Sequence, residues 1–267
     1  MQYRTLALEK KNGMAILTLN RPETLNAINL EMSEEMADVI NELSHEATTR
    51  VIVITGAGNG FCSGIDVREL LTRTARGGAE TTFEGVMQGK STVLTVPIRL
   101  RSMRKPVIGA INGIAAGSGF SIALACDIRI ASERAKFSMA FILRGLIPDC
   151  GGTFFLPKLI GSAKACELVF TGDTIDAEEA KGLGLVNSVV PQEKLMEAAE
   201  ELANRLLERP TTALGYAKRA VHKGLTESDL LSHLDYEIAI NRMCTDSEDF
   251  KEAVKSFLEK KGTIQGK

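Results

Sequence analysis

The chain has 267 residues, 44% of them apolar, enough to bury a sizeable core in one large domain or two small ones. Its 32 basic and 34 acidic residues leave a formal charge of -2, so no global field draws it to nucleic acid or to an anionic membrane, and an anionic ligand needs a local site. Five cysteines, odd in number and without a CxxC pair, suit a reducing compartment; with no secretory pattern in "MQYRTLALEKKNG" and no apolar run of bilayer length, a cytoplasmic setting is expected.

In chain order, "MAILTLN" (14–20) alternates as a strand does, and "INLEMSEEMADVINELSHEA" (28–47) carries apolar residues at helical spacing with Asn29 placed to cap it. The runs "VIVITG" (51–56) and "PVIGAING" (106–113) are short, apolar and end in glycine, as strands buried on both faces of an α/β layer do. Between them, 73–94 is polar, glycine-punctuated and only partly periodic, and reads as a flexible segment or lid; residues 73–98 are expected to shape a pocket. "RLRSMRK" (99–105) reads as a solvated basic face, and "CDIRIAS" (126–132) as a further strand. From Gln192 the pattern turns helical: one amphipathic helix stopped near Pro210, its continuation "TALGYAKRAVHKGL", and two more stretches parted by a polar turn around Asp246. The expected organisation is an α/β body over 1–190 and a helical region over 191–267.

Two segments repeat one another weakly. "VIVITGAGNGFCSG" and "PVIGAINGIAAGSG" are each a strand followed by a loop of several glycines, an arrangement that sets two loops at one sheet edge around a shared crevice. Neither loop has the chemistry of a nucleotide site. The first lacks a Gly-Lys-Ser/Thr ending, and Ile122 stands where GxGxxG needs its third glycine. Glycines that open a helix nevertheless expose backbone N–H groups, reinforced by the helix dipole. Gly64 in "CSGIDVRELL" and Gly117-Ser118-Gly119 before "FSIALAC" fit that description, and two such amides converging hold an oxygen that gains negative charge. Close packing alone is the other reading of the same glycines. His45, His222 and His233 lie within helical patterns without a second ligand at metal spacing, so no metal site is expected. Asp149, in "GLIPDCGGTFF", sits between a proline and a glycine pair, where it serves either as a turn residue or as an isolated acid or base.

These segments, with "LNRPETLNAIN" (19–29), "KPVIGAINGIAAGSGFSIALACDIRIASERAKFSMA" (105–140), "GLIPDCGGTFFLPKLIG" (145–161) and "FTGDTIDAEEAKGLGLVNSVV" (170–190), resemble in order the crotonase superfamily, the enoyl-CoA hydratase/isomerase family. The resemblance implies an α/β fold, a ClpP-like spiral of ββα units, with a helical C-terminal region that assembles trimers or pairs of trimers. It implies an acyl-CoA thioester as substrate, coenzyme A being part of that substrate rather than a separate cofactor, and neither nucleic acid nor membrane as a partner. Carried over by position, the oxyanion hole is formed by the amides of Ile65 and Ser118. The substrate and its CoA moiety lie along Ala27, Gly64, Asp66, Val67, Arg68, Gly117 and Phe141.

The two glutamates with which family hydratases handle water fall on Ser121 and Phe141 here, and neither exchanges a proton at neutral pH. Asp149 remains. A single acid at this place resembles Δ3,Δ2-enoyl-CoA isomerases and, most of all, the ring-epoxide isomerase of phenylacetate degradation. One base suffices for a 1,3-proton shift, since it removes a proton from one carbon and returns it two carbons away. Phe141, Ile147, Phe154 and Phe155 are expected to keep water from Asp149 and strengthen it as a base. A hydratase-type enzyme, a dehalogenase-like enzyme with Asp149 as nucleophile, and a silent acyl-CoA-binding subunit stay open as alternatives.

Overall fold

Asn12 and Gly13, both with left-handed backbones (φ 49° and 84°), close the hairpin that starts the fold in a computed structural model describing residues 3–68, 71 and 92–264. The hairpin pairs β1 (Leu6–Lys11) antiparallel with β2 (Met14–Leu19). From β2 the sheet continues in parallel through β3 (Val51–Gly56), β5 (Val107–Ile111), β7 (Ile128–Ser132) and β10 (Ser188–Val190). Parallel neighbours need long crossovers. The first of these is α1 (Leu30–His45), capped by Asn29, whose side chain accepts from the Met32 N–H at 2.9 Å.

Each of β3, β5 and β7 leads into a very short strand of a second sheet. These are β4 (Gly60–Cys62), β6 (Ile114–Ala116) and β8 (Lys136–Ser138), and β9 (Thr174–Asp176) completes the order β4-β6-β8-β9. After β6 comes α3 (Ser118–Ala125), and after β4 the chain turns helical at Val67, so the weak repeat read from the sequence is a ββα unit used twice. Stacked units bring β4 beside β6 in parallel and both glycine loops to one edge.

Strands β3 and β5 read as unbroken apolar runs because both faces of the large sheet are covered there. Ala15, Leu17, Ile52 and Ile54 face Met32, Met36 and Ile40 of α1 and Leu100 of α2 (Thr95–Ser102). The alternate residues Met14, Ile16, Val51, Val53 and Ile108 face Leu195, Ala199 and Ala203 of α7 (Leu195–Leu207). Between β8 and α7 in chain order come α4 (Gly152–Ile160), α5 (Ser162–Thr171) and α6 (Ala177–Gly182). After α7 come α8 (Thr211–Gly224), α9 (Leu230–Thr245) and α10 (Glu248–Ile264), so the chain from Leu195 to Ile264 is mostly helical. No helix among the described residues is long and apolar enough to cross a membrane.

Two expectations need correction or narrowing, and one strand lies outside them. Strand β1 was not foreseen, because Glu9, Lys10 and Lys11 break its apolar alternation; charge is what an edge strand carries to avoid further pairing. The basic run 99–105 is not a solvated face. Arg99 donates to the Ala37 carbonyl, Lys105 to the carbonyls of Leu43 and Glu46, and Arg101 and Arg104 lie over the rings of Phe155 and Tyr216. It fastens α1, α4 and α8 to the body. Of the pocket-shaping segment 73–98, residues 73–91 lie outside the described residues, and Thr95 to Ile98 form the first turn of α2.

Candidate active site

Two buried asparagines shape the first glycine loop. Asn26 accepts from the Arg21 N–H through Oδ1 and donates through Nδ2 to the carbonyls of Ala57 and Gly60. Asn112, from the end of β5, donates to the carbonyls of Gly56, Gly58 and Gly60. Backbone carbonyls that a tight loop turns inward thus find donors, which a buried polar group requires. Beyond the loop, Ile28 and Ile65 form a parallel bridge: the Ile28 N–H donates to the Gly64 carbonyl at 2.8 Å, and the Asp66 N–H to the Ile28 carbonyl at 2.9 Å. That pattern engages the residues on either side of Ile65 and turns the Ile65 N–H away from the bridge.

The second loop ends at Gly117 (φ 52°), whose N–H donates to the Ser138 carbonyl at 3.0 Å, and α3 begins at Ser118. A first helical residue has no carbonyl four positions back to accept its N–H, so the Ser118 amide is available to a ligand. The loops are in main-chain contact. A Cβ on Gly64 (φ 98°) would stand 3.0 Å from the Ala116 carbonyl oxygen and 3.6 Å from the Ser118 nitrogen, and one on Gly119 only 2.3 Å from the Cys62 carbonyl oxygen. Glycine at these positions is a condition of the approach.

Asp149 reaches the same place from a third direction. Cys150 (φ 49°) and Gly151 (φ 81°) are successive left-handed residues that swing the chain into α4, while the Gly152 N–H donates to the Asp149 carbonyl at 2.9 Å. The side chain is half-buried, and its Oδ1 accepts from Ser118 Oγ at 2.7 Å. A cavity of about 300 Å³ is lined by Gly64, Ile65, Val67, Gly117, Ser118, Phe141 and Asp149, so seven of the expected residues come together. The thiol of Cys150, beside this cavity, is pushed well above its ordinary range by burial and by the charge of Asp149.

Ala27, Asp66 and Arg68 are not among the lining residues. Ala27 and Asp66 meet instead at Arg21, which donates to the Ala27 carbonyl and pairs with Asp66 Oδ2 at 3.3 Å. Ser121 is fully buried behind the cavity, its hydroxyl 3.4 Å from the Gly117 carbonyl and 2.7 Å from where a Cβ on Gly152 would stand.

The expected dry wall around Asp149 holds only for Phe141, which is 7% exposed. Ile147 is 81% and Phe154 46% exposed, and Phe154 and Phe155 line a separate cavity of about 740 Å³ with Leu94, Pro97, Cys150 and His222. Phe154 and Phe155 belong to α4, which the chain enters through the left-handed turn at Cys150 and Gly151, and Ile147 lies before that turn. Leu146, Ala140 and Arg144 line the cavity at Asp149 instead. Sequence reading passed over them, as it did over Asn26 and Asn112, whose only local signal is an asparagine beside an apolar or glycine-bearing segment.

The pattern described as enoyl-CoA hydratase/isomerase matches residues 9–264. The chain is 40% identical over 261 residues to the 1,2-epoxyphenylacetyl-CoA isomerase of Escherichia coli strain K12, covering 98% of this chain and 97% of that protein. It is 37% identical over 262 residues to the short-chain-enoyl-CoA hydratase of Clostridium acetobutylicum, with the same coverage. A crystal structure of an enoyl-CoA hydratase subunit I from Geobacillus kaustophilus HTA426 superposes with a TM-score of 0.87 at 35% identity, covering 97% of both chains. An isomerase and a hydratase stand at comparable distance, and what they share with this chain runs from one end to the other: it belongs to the enoyl-CoA hydratase/isomerase family, the crotonase superfamily.

Proposed function

We propose that this family member is an acyl-CoA isomerase that moves a double bond by a 1,3-proton shift, with Asp149 as the single acid and base. Asp149 is the one carboxylate among the described residues that line the cavity shared by Ile65 and Ser118, and this observation carries the reading. In a 3-enoyl-CoA the thioester carbonyl oxygen is held by the amides of Ile65 and Ser118. Asp149 removes a proton from C2, the electron pair moves into the thioester to give an enolate, and the same proton returns to C4 as the double bond settles between C2 and C3. Each well-aimed amide lowers the barrier by about 3 kcal/mol, which makes an aspartate an adequate base. Hydration would need a second proton-handling group for water, and Ser121 and Phe141 supply none.

The 40% identity to an isomerase of a ring-derived CoA thioester supports including such thioesters among the substrates. The reading extends to assembly: α9 and α10 expose Leu231, Ile238, Phe257 and Leu258, an apolar face that a trimer of this chain would cover.

Asp149→Asn keeps the shape and cannot take up the proton. Its rate on a 3-enoyl-CoA falls at least about 100-fold, the contribution expected of a general base, whereas Ser121→Ala leaves isomerisation within about twofold. Wild-type turnover by the Asn variant would overturn the proposal.

A further inference from the structure

Ser118 occupies two positions at once. Its amide is the first of α3 and opens on the reaction cavity, while its side-chain hydroxyl donates to Asp149 Oδ1 at 2.7 Å. The residue is only 1% exposed, so water does not compete for that hydroxyl proton. Beneath the pair, Cys150 is buried and held in a left-handed turn, which fixes the main chain from which Asp149 projects. A half-buried carboxylate on a turn would otherwise rotate about its Cβ–Cγ bond and exchange its proton with solvent.

We propose that Ser118 is the positioning residue for Asp149: its side chain fixes the carboxylate that moves the proton while its own amide holds the thioester oxygen. The hydroxyl has one proton to give, and giving it to Oδ1 makes the two carboxylate oxygens unequal. Oδ2, free of that donor, is the better acceptor and takes the proton from C2; the O–H so formed returns it to C4, with no net gain or loss by the protein. Because both contacts issue from one residue at a helix start, Ser118 ties the position of the proton carrier to that of the oxyanion donor. This inference rests on the isomerase reading and adds to it a residue whose side chain acts only through Asp149.

Ser118→Ala removes the hydroxyl and keeps the amide. The expected result is a kcat lower by about tenfold with KM within about twofold, because the transition state is affected and ground-state binding is not. In deuterated water the product of the variant carries markedly more solvent deuterium at C4 than the wild-type product does, since an unheld carboxylic acid exchanges before it returns its proton. Loss of folding or packing alone would lower activity without raising deuterium uptake per turnover. Should Ser118→Ala be poorly folded, Ser118→Gly carries the same expectation. An unchanged kcat with unchanged deuterium content, or a raised KM alone, overturns the inference. Asp149→Asn separates the two claims: its inactivity together with a wild-type-like Ser118→Ala removes the positioning role and keeps the base, whereas an active Asn variant removes the base itself.

Discussion

Lys218 Nζ lies 2.8 Å from Asp127 Oδ2, and through this pair, together with the 2.8 Å hydrogen bond from His222 Nε2 to Asp127 Oδ1, helix α8 is fastened to the sheet. Lys218 is 8% exposed and donates as well to the carbonyls of Leu100 and Lys105. A buried cation of this kind is tolerable only with its partner in place.

Asp127→Ala should therefore destabilise the fold by about 3–5 kcal/mol, because it strands the charge of Lys218 in the interior. Replacing Lys218 and Asp127 together by apolar residues should cost less than the aspartate change alone, and urea unfolding of the three variants measures both differences.

The same pair predicts a pH dependence. Burial works against the charge on Asp127, yet the His222 hydrogen bond and the Lys218 charge outweigh it and hold the carboxyl below its ordinary value. A depressed carboxylate contributes stability that is full above the unfolded value, about 3.9, and lost as pH falls through the lower folded value. The difference in urea midpoint between wild type and Asp127→Asn should thus be constant near neutrality and narrow below about pH 4. A difference that widens with acid would contradict the assignment.

Glycine substitutions separate the loop contact from ordinary packing. Gly64→Ala places a Cβ at a φ of 98° and 3.0 Å from the Ala116 carbonyl oxygen, which should cost about 1–3 kcal/mol and spread the two loops. Activity on a 3-enoyl-CoA should fall at least about tenfold, because a donor displaced from its aim loses transition-state stabilisation. Gly182, at the end of α6, has no left-handed backbone and nothing within 4 Å of its Cβ position. Gly182→Ala should raise stability by up to about 1 kcal/mol and leave turnover unchanged.

Thiol chemistry reports the burial pattern. Cys62 and Cys126 are enclosed, and burial pushes both thiols up to about 12, whereas Cys166 is exposed. A thiol reagent at pH 8 should modify Cys166 within minutes and leave Cys62, Cys126 and Cys150 untouched until the chain is unfolded in guanidinium. Peptide mass mapping before and after unfolding checks this, and early labelling of Cys62 would mean that the wall behind the glycine loops opens readily.

Much of the body was legible in the chain because its signals are local. The runs that became β3 and β5 are apolar, short and closed by turn residues, and α1 carries both its periodicity and its Asn29 cap in contiguous residues. The two glycine loops repeated in sequence and met in space because a repeated ββα unit stacks on itself. The proline and glycines around Asp149 marked a turn, and the turn is there.

What the neighbours in sequence do not encode is where a side chain goes after a turn and what it meets. Phe154 and Phe155 lie beyond two left-handed residues, Cys150 and Gly151, and line another cavity, while Ile147, two residues before Asp149, is exposed. The basic run 99–105 has the composition of a solvated face and became a set of clasps because α1, α4 and α8 bring carbonyls and rings to it. The amino-acid sequence by itself determined the elements, the glycine loops and the lone carboxylate, through periodicity, capping and turn chemistry that act over a few residues. Only the tertiary structure decided that the hydroxyl of Ser118 meets Asp149, because that contact depends on how distant units of the spiral pack, a balance of many small burial terms that no local pattern records.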